Sequence, residues 1–72
     1  MIDLQELRPG DMLVFYDGAR RIFLEERDTI HLGLGQRVQV WTCREPGAAA
    51  FAYFLDEVDW VFPGVWAYLF IS

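Results

Sequence analysis

Three sets of side chains in the sequence could do chemistry: one histidine, His31, one cysteine, Cys43, and an acidic cluster of Asp56, Glu57 and Asp59. A thiol beside an imidazole would make an activated nucleophile. Here no cysteine precedes His31, and Cys43 falls on a predicted strand rather than a helix. Cys43 therefore reads as a small core residue. His31 reads as a partly buried ring near a turn, since acid–base work needs convergent partners. Paired carboxylates work as acid and base when an enclosed cleft separates their pKa values. Nothing around Asp56, Glu57 and Asp59 in sequence suggests a cleft, and a solvated turn is expected there. One His and one Cys are too few strong ligands, so no metal site is expected. Gly33 and Gly35 lack a following Gly-Lys-Ser/Thr and a helix, so no phosphate loop and no cofactor is expected.

The aromatic residues carry more information. Trp41, Tyr53, Trp60, Trp66 and Tyr68 are amphipathic side chains of the kind enriched at binding interfaces. About half should be buried, because so small a domain cannot cover them all. Trp60 beside Asp56, Glu57 and Asp59 would suit a ligand bearing arginine or lysine. The candidate partner-binding set is therefore Trp41, Tyr53, Trp60, Trp66, Asp56, Glu57 and Asp59, and no catalytic set is assigned.

The 72 residues suffice for one domain, 1–72, with one core. Over half the chain is apolar, more than such a core can easily hide, so an exposed apolar patch is expected. The net charge is −5, and every basic residue is arginine. A nucleic-acid binder needs a basic stripe, so nucleic acid is not the expected partner. A single cysteine allows no intrachain disulfide and fits a reducing, cytoplasmic compartment. Met1–Leu7 lacks a secretory pattern. The apolar stretch Trp60–Ile71 is too short to span a bilayer and is broken at Pro63-Gly64, so no membrane segment is expected.

These residues must be positioned by short strands. Residues 2–7 predict one helical turn with Asp3 as cap and Glu6 as its capping-box partner. Arg8-Pro9-Gly10-Asp11 stops it. Met12–Tyr16 predicts a strand, Asp17-Gly18 a tight hairpin turn, and Arg20–Arg27 a second strand. Arg27-Asp28-Thr29 predicts a turn, Ile30–Leu34 a short strand, and Gly35-Gln36 another turn. Arg37–Cys43 alternates cleanly as a strand. Arg44–Ala50 reads as a loop and Phe51–Leu55 as a strand. Asp56–Asp59 reads as a short helical turn and Val65–Ile71 as the last strand. Five or six short strands with close spacing predict an all-β barrel or sandwich.

The segment Leu7-Arg8-Pro9-Gly10-Asp11-Met12-Leu13-Val14 resembles the opening of small Src-homology-3-like (SH3-like) barrels. The later layout is similar too: Leu24-Glu25-Glu26, then a Val-x-Val-Trp strand, then an aromatic strand into Leu55-Asp56-Glu57-Val58. Barrels of this pattern are frequent in bacteriophages and bacterial accessory domains. The resemblance implies a five- to six-stranded SH3-like barrel with a short N-terminal helical turn; the expected location is cytoplasmic, an infected host cell included. It implies a fold and no activity. A second resemblance joins Pro9–Phe15 and Ile30–Gly35 to the central strands of NlpC-type cysteine peptidases. There His31 would match the family's histidine, but the nucleophile and its helix are missing.

Together these readings predict a non-catalytic binding module with an aromatic–acidic surface and a protein partner. One alternative is a self-assembling structural barrel, an Sm-like ring or dimer, for which the chain would be a homo-oligomer. The other is a remnant of the peptidase fold.

Overall fold

The computed structural model describes residues 2–33 and 35–64. The first element is a 3-10 turn, η1 (Leu4–Glu6). Five strands follow: β1 (Met12–Phe15), β2 (Arg20–Leu32), β3 (Gly35–Cys43), β4 (Phe51–Phe54) and, after a second 3-10 turn η2 (Leu55–Glu57), β5 (Val58–Phe62). The protein is all-β, as the turn residues and strand spacing predict. All pairings are antiparallel, in the order β4-β3-β2-β1-β5.

This order makes the sheet curl. A flat five-stranded sheet would hold β4 and β5 roughly 19 Å apart, four strand spacings. The link between them is η2 alone, and four residues of chain reach at most about 14 Å. The end strands must therefore approach each other, which gives a barrel-like shape. The inner face is packed with Leu13 and Phe15 of β1, Phe23 of β2, Val40 of β3, Leu55 of η2 and Val58 of β5. Leu7 belongs to the same cluster, and Ile2 and Leu4 pack against it from the N-terminal segment. Leu13 and Val40 are wholly buried, and each such side chain stabilises the fold by roughly 1.5–3 kcal/mol.

The N-terminal turn forms as its residues dictate. Asp3 accepts a hydrogen bond from the Gln5 backbone N–H at 3.0 Å and caps η1. Arg8-Pro9-Gly10-Asp11 closes with Asp11 N–H donating to the Arg8 carbonyl, and Gly10 takes the positive φ, 97°, that a type II turn requires. The Asp17-Gly18 turn joins β1 to β2, with Phe15 and Ala19 hydrogen-bonded across it and Asp17 Oδ1 accepting from the Ala19 N–H. Tyr16 belongs to this turn, so β1 ends one residue earlier than predicted.

Three predicted boundaries are corrected. Arg27-Asp28-Thr29 is no turn; β2 runs through it. Two irregularities break the register there, leaving Leu24 and Arg27 without opposite partners. Each bulge flips the side-chain alternation, so the continuous strand has no continuous pattern. Gly35 and Gln36 open β3, and the turn lies before them, at Gly33 with φ 59°. Asp56–Asp59 divides: the helical turn is Leu55–Glu57, while Val58 and Asp59 start a strand. The predicted strand Val65–Ile71 lies outside the described residues.

Asp11 pins these parts together. It is buried, yet both carboxylate oxygens are used: Oδ2 accepts from the Arg8 N–H at 2.9 Å and Oδ1 from the Gly64 N–H at 2.7 Å. Its backbone also pairs with Phe23, whose carbonyl accepts from Gly10. One residue thus ties the start of β1, the first part of β2 and the exit from β5. Asp11→Ala strands two backbone donors, and each unsatisfied donor costs about 1–3 kcal/mol. Denaturant unfolding of this variant should show a loss of about 3 kcal/mol. A loss below about 1 kcal/mol would show that the pin is dispensable.

Candidate interaction surface

The predicted aromatic–acidic set does not form one patch. Tyr53 lies on β4 opposite Val40, facing inward, and its ring packs on Phe15 with centroids 5.1 Å apart. Trp41 is half-buried on the outer face of β3. Trp60 is the exposed one, at 60%. Trp66 and Tyr68 lie outside the described residues. Among the described tryptophans and tyrosines of the set, then, burial takes Tyr53 in large part and leaves Trp60 to solvent.

Arginines cap the other rings. Arg27, the bulged residue of β2, places its guanidinium 5.1 Å from the Trp41 ring centre and donates to Gln39 Oε1 at 2.5 Å. A bulge re-aims a side chain, and here it turns Arg27 onto the tryptophan. Arg37 of β3 stacks 3.7 Å from the Phe54 ring centre. Arg21 sits 4.8 Å from the Tyr53 centroid and 5.7 Å from that of Phe51, and its Nη2 donates to the Tyr53 hydroxyl at 2.5 Å. Its Nη1 is buried without an acceptor among the described residues. A planar guanidinium can stack and donate in its plane together, which an ammonium cannot. This accounts for three of the six arginines in a chain without lysine.

The acidic residues divide in the same way. Asp56 takes a bidentate pair from Arg37: Nε to Oδ2 at 2.6 Å and Nη2 to Oδ1 at 2.7 Å. Glu57 Oε1 stands 3.7 Å from the same Nη2. The hydrogen bond from Arg37 holds the Asp56 carboxyl below its ordinary value; slight burial opposes this and the guanidinium charge assists. The partner shift agrees in sign, Arg37 being raised chiefly by that bond. Asp59 is exposed on β5 with no ion pair among the described residues. Sequence reasoning found the acids and missed the arginine that answers them, because Arg37 lies nineteen positions away and only the β3–η2 contact brings it near.

Trp60 belongs to an outward strip. On the β1–β5 pair, half-buried Val14 stands opposite Trp60 and half-buried Met12 opposite Phe62, all on the face away from Leu13 and Phe15, where Ile22 across from Met12 is buried. Phe62 is 48% exposed, and Tyr16, just beyond β1, is 73% exposed. Phe62 and Tyr16 were not in the predicted set. Their exposure follows from the β1–β5 register irregularity between Val14 and Phe15, which puts Trp60 and Phe62 on the face opposite to Val58, and from the place of Tyr16 in the turn after β1.

His31 and Cys43 do not meet. His31 pairs with Gln36 near one end of the β2–β3 ribbon, and Cys43 pairs with Ile22 at the other. Gln36 and Cys43 are separated by roughly 23 Å of strand. His31 is exposed rather than partly buried as expected. Cys43 is buried, as expected of a core thiol, and burial raises its pKa despite the opposing charge of Arg21. Among the described residues no group of three or more His, Cys, Asp or Glu side chains could hold a metal ion. No helix is long and apolar enough to cross a membrane among the described residues. Compared with protein-family models, with curated proteins and with solved structures, the chain matches none.

The Asp56 shift has a pH consequence. A carboxyl lowered by folding contributes stability above its ordinary value of 3.8, and that contribution is lost as pH falls through the lowered value. A carboxyl-detected NMR titration should place the Asp56 midpoint below 3.8, and Arg37→Met should bring it back up. An Asp56 midpoint unmoved by Arg37→Met would refute the pairing. The pair is exposed, so the effect on global stability should be slight.

Proposed function

We propose that this protein is a non-catalytic interaction module that docks a protein partner through the outward strip of Met12, Val14, Trp60 and Phe62. The exposure of Trp60 carries this reading. A tryptophan 60% exposed on a strand, beside a second large ring and opposite two apolar residues, is costly in water and characteristic of an interface centre. Asp59, without an ion pair among the described residues, would add a polar rim. The barrel-like meander, with a 3-10 turn before its last described strand, supports an SH3-like reading of the fold. The separation of His31 from Cys43 favours binding over thiol chemistry.

A second reading has its own observation. The strip lies on β5, an end strand in the sheet order, so a second copy could pair there and build a homo-oligomer. Native mass across a concentration range separates the two. A monomer throughout leaves the strip for a foreign partner; a fixed oligomer that Trp60→Ala dissociates means copies of the chain consume it.

For the main reading, a photo-crosslinking side chain replaces Trp60, and a control replaces exposed Asp28. A partner captured only from position 60 is then purified. Trp60→Ala should weaken its binding at least about tenfold, the loss expected for a hot-spot residue. The circular dichroism spectrum and unfolding midpoint should stay unchanged. Unweakened binding, or unfolding of the variant, overturns the proposal: the first removes Trp60 from the interface, and the second makes it structural.

A further inference from the structure

We propose that Phe54, Asp56 and Glu57 form a guanidinium-binding site that Arg37 fills in cis and that an arginine side chain of a partner can take over. The site is built from three recognition elements. Phe54 supplies an aromatic face, on which the Arg37 guanidinium lies 3.7 Å from the ring centre. Asp56 supplies a carboxylate fork that accepts two parallel N–H bonds, at 2.6 and 2.7 Å. Glu57 adds a second negative charge 3.7 Å from the same group. An aromatic face with a carboxylate fork at its edge fits a flat, delocalised cation better than an ammonium.

The backbone sets this geometry. Phe54 is the last residue of β4 and stands opposite Gln39, so its ring shares the outer face with Arg37 two residues along β3. Asp56 and Glu57 follow at once on η2, which turns them toward the same guanidinium. Four consecutive residues thus hold ring and acids, while the cation comes from a different strand. That division lets the cation leave without disturbing what receives it.

Two observations point to an exchangeable occupant. The Arg37 and Asp56 side chains are 35% and 42% exposed, and an exposed ion pair holds its partners weakly. Beside the pair is a hollow of about 140 Å³, lined by Gln36, Arg37, Val38, Leu55 and Asp56. Leu55 and Val38 make part of its lining apolar, and Asp56 belongs to the same lining. An incoming side chain can therefore reach the acids while Arg37 still covers the ring, and Arg37 can then swing outward into water. The chain's net charge of −5 favours a basic partner over an acidic one. The partner chemistry is a basic, arginine-bearing peptide segment. These residues are distinct from the Trp60 strip, and neither proposal depends on the other.

The probe is N-acetyl-arginine amide, with N-acetyl-lysine amide as control, titrated against the whole protein and followed by NMR at the Asp56 and Glu57 carboxyls. Arg37→Met should bind the arginine probe saturably and about two- to sixfold tighter than the unaltered protein, because a weakly held competing cation is gone. Adding Asp56→Asn should abolish that binding. In the unaltered protein, the arginine probe at high concentration should move the Arg37 Nε resonance toward that of a free side chain. Absence of saturable binding to Arg37→Met, or equal binding of the lysine probe, overturns the proposal. Should Arg37→Met fail to fold, the unaltered protein decides: an Arg37 resonance unmoved by the arginine probe overturns it as well.

Discussion

The link from β4 to β5 is the constraint on which the rest of the fold depends. Three residues of 3-10 turn join strands at opposite ends of the sheet order. That distance can be met only if the sheet curls so that its end strands approach each other, and the curl requires that its long strand bend. The two bulges of β2, at Leu24 and Arg27, are where this strand departs from regular pairing, and bulges increase local twist and bending. Residues 20–22 pair with β1, while the pairing with β3 runs from Ile22 to Leu32. The strand therefore belongs to both halves of the curled sheet. The core then lies between the halves, with Phe15, Phe23, Val40 and Val58 converging from four strands.

So small a curled sheet leaves several aromatic rings outside its core, and arginine covers part of that excess. Arg21, Arg27 and Arg37 each lie over rings that the core does not fully enclose. A guanidinium on a ring face covers apolar area while keeping its donors free for in-plane bonds. Tyr53, Gln39 and Asp56 accept those bonds. Lysine could not play both roles, which gives a physical reason for the one-sided basic composition. The consequence for function is selective: the rings under arginines are removed from direct contact, and Trp60 stands out because no described arginine covers it.

Much of the fold was legible from local chemistry. Pro9-Gly10-Asp11 and Asp17-Gly18 form the turns their residue types demand, and Arg37–Cys43 alternates as a strand should. What failed was local information overridden by pairing. The strand through Arg27-Asp28-Thr29 looked like a turn because two bulges erase its alternation and because, on an exposed ribbon, neither face needs to be apolar. Val58–Phe62 looked like the tail of an acidic turn because Asp56, Glu57 and Asp59 dominate the window, although only Asp59 is on the strand. Of the candidate site, the acids and Trp60 were legible by residue type. Their division into two surfaces was not, since it depends on Arg37 arriving from β3.

The two surfaces differ in what keeps them from aggregation. The guanidinium site is self-satisfied: its charges are paired, its ring is covered, and water loses little by leaving it as it is. The Trp60 strip has no such internal answer among the described residues. An apolar end strand is a hazard that small β proteins usually blunt with charges or proline. Here Asp59 stands within β5 and Pro63 just beyond it, while Trp60 and Phe62 between them remain exposed. Removing the two rings would cost the inner core little, because both point away from it. A residue that adds risk in the free protein and contributes little to its core is best explained by what it contacts outside the chain. That asymmetry is the physical argument for proposing the primary interface on β5 and a secondary role for the arginine-capped rings.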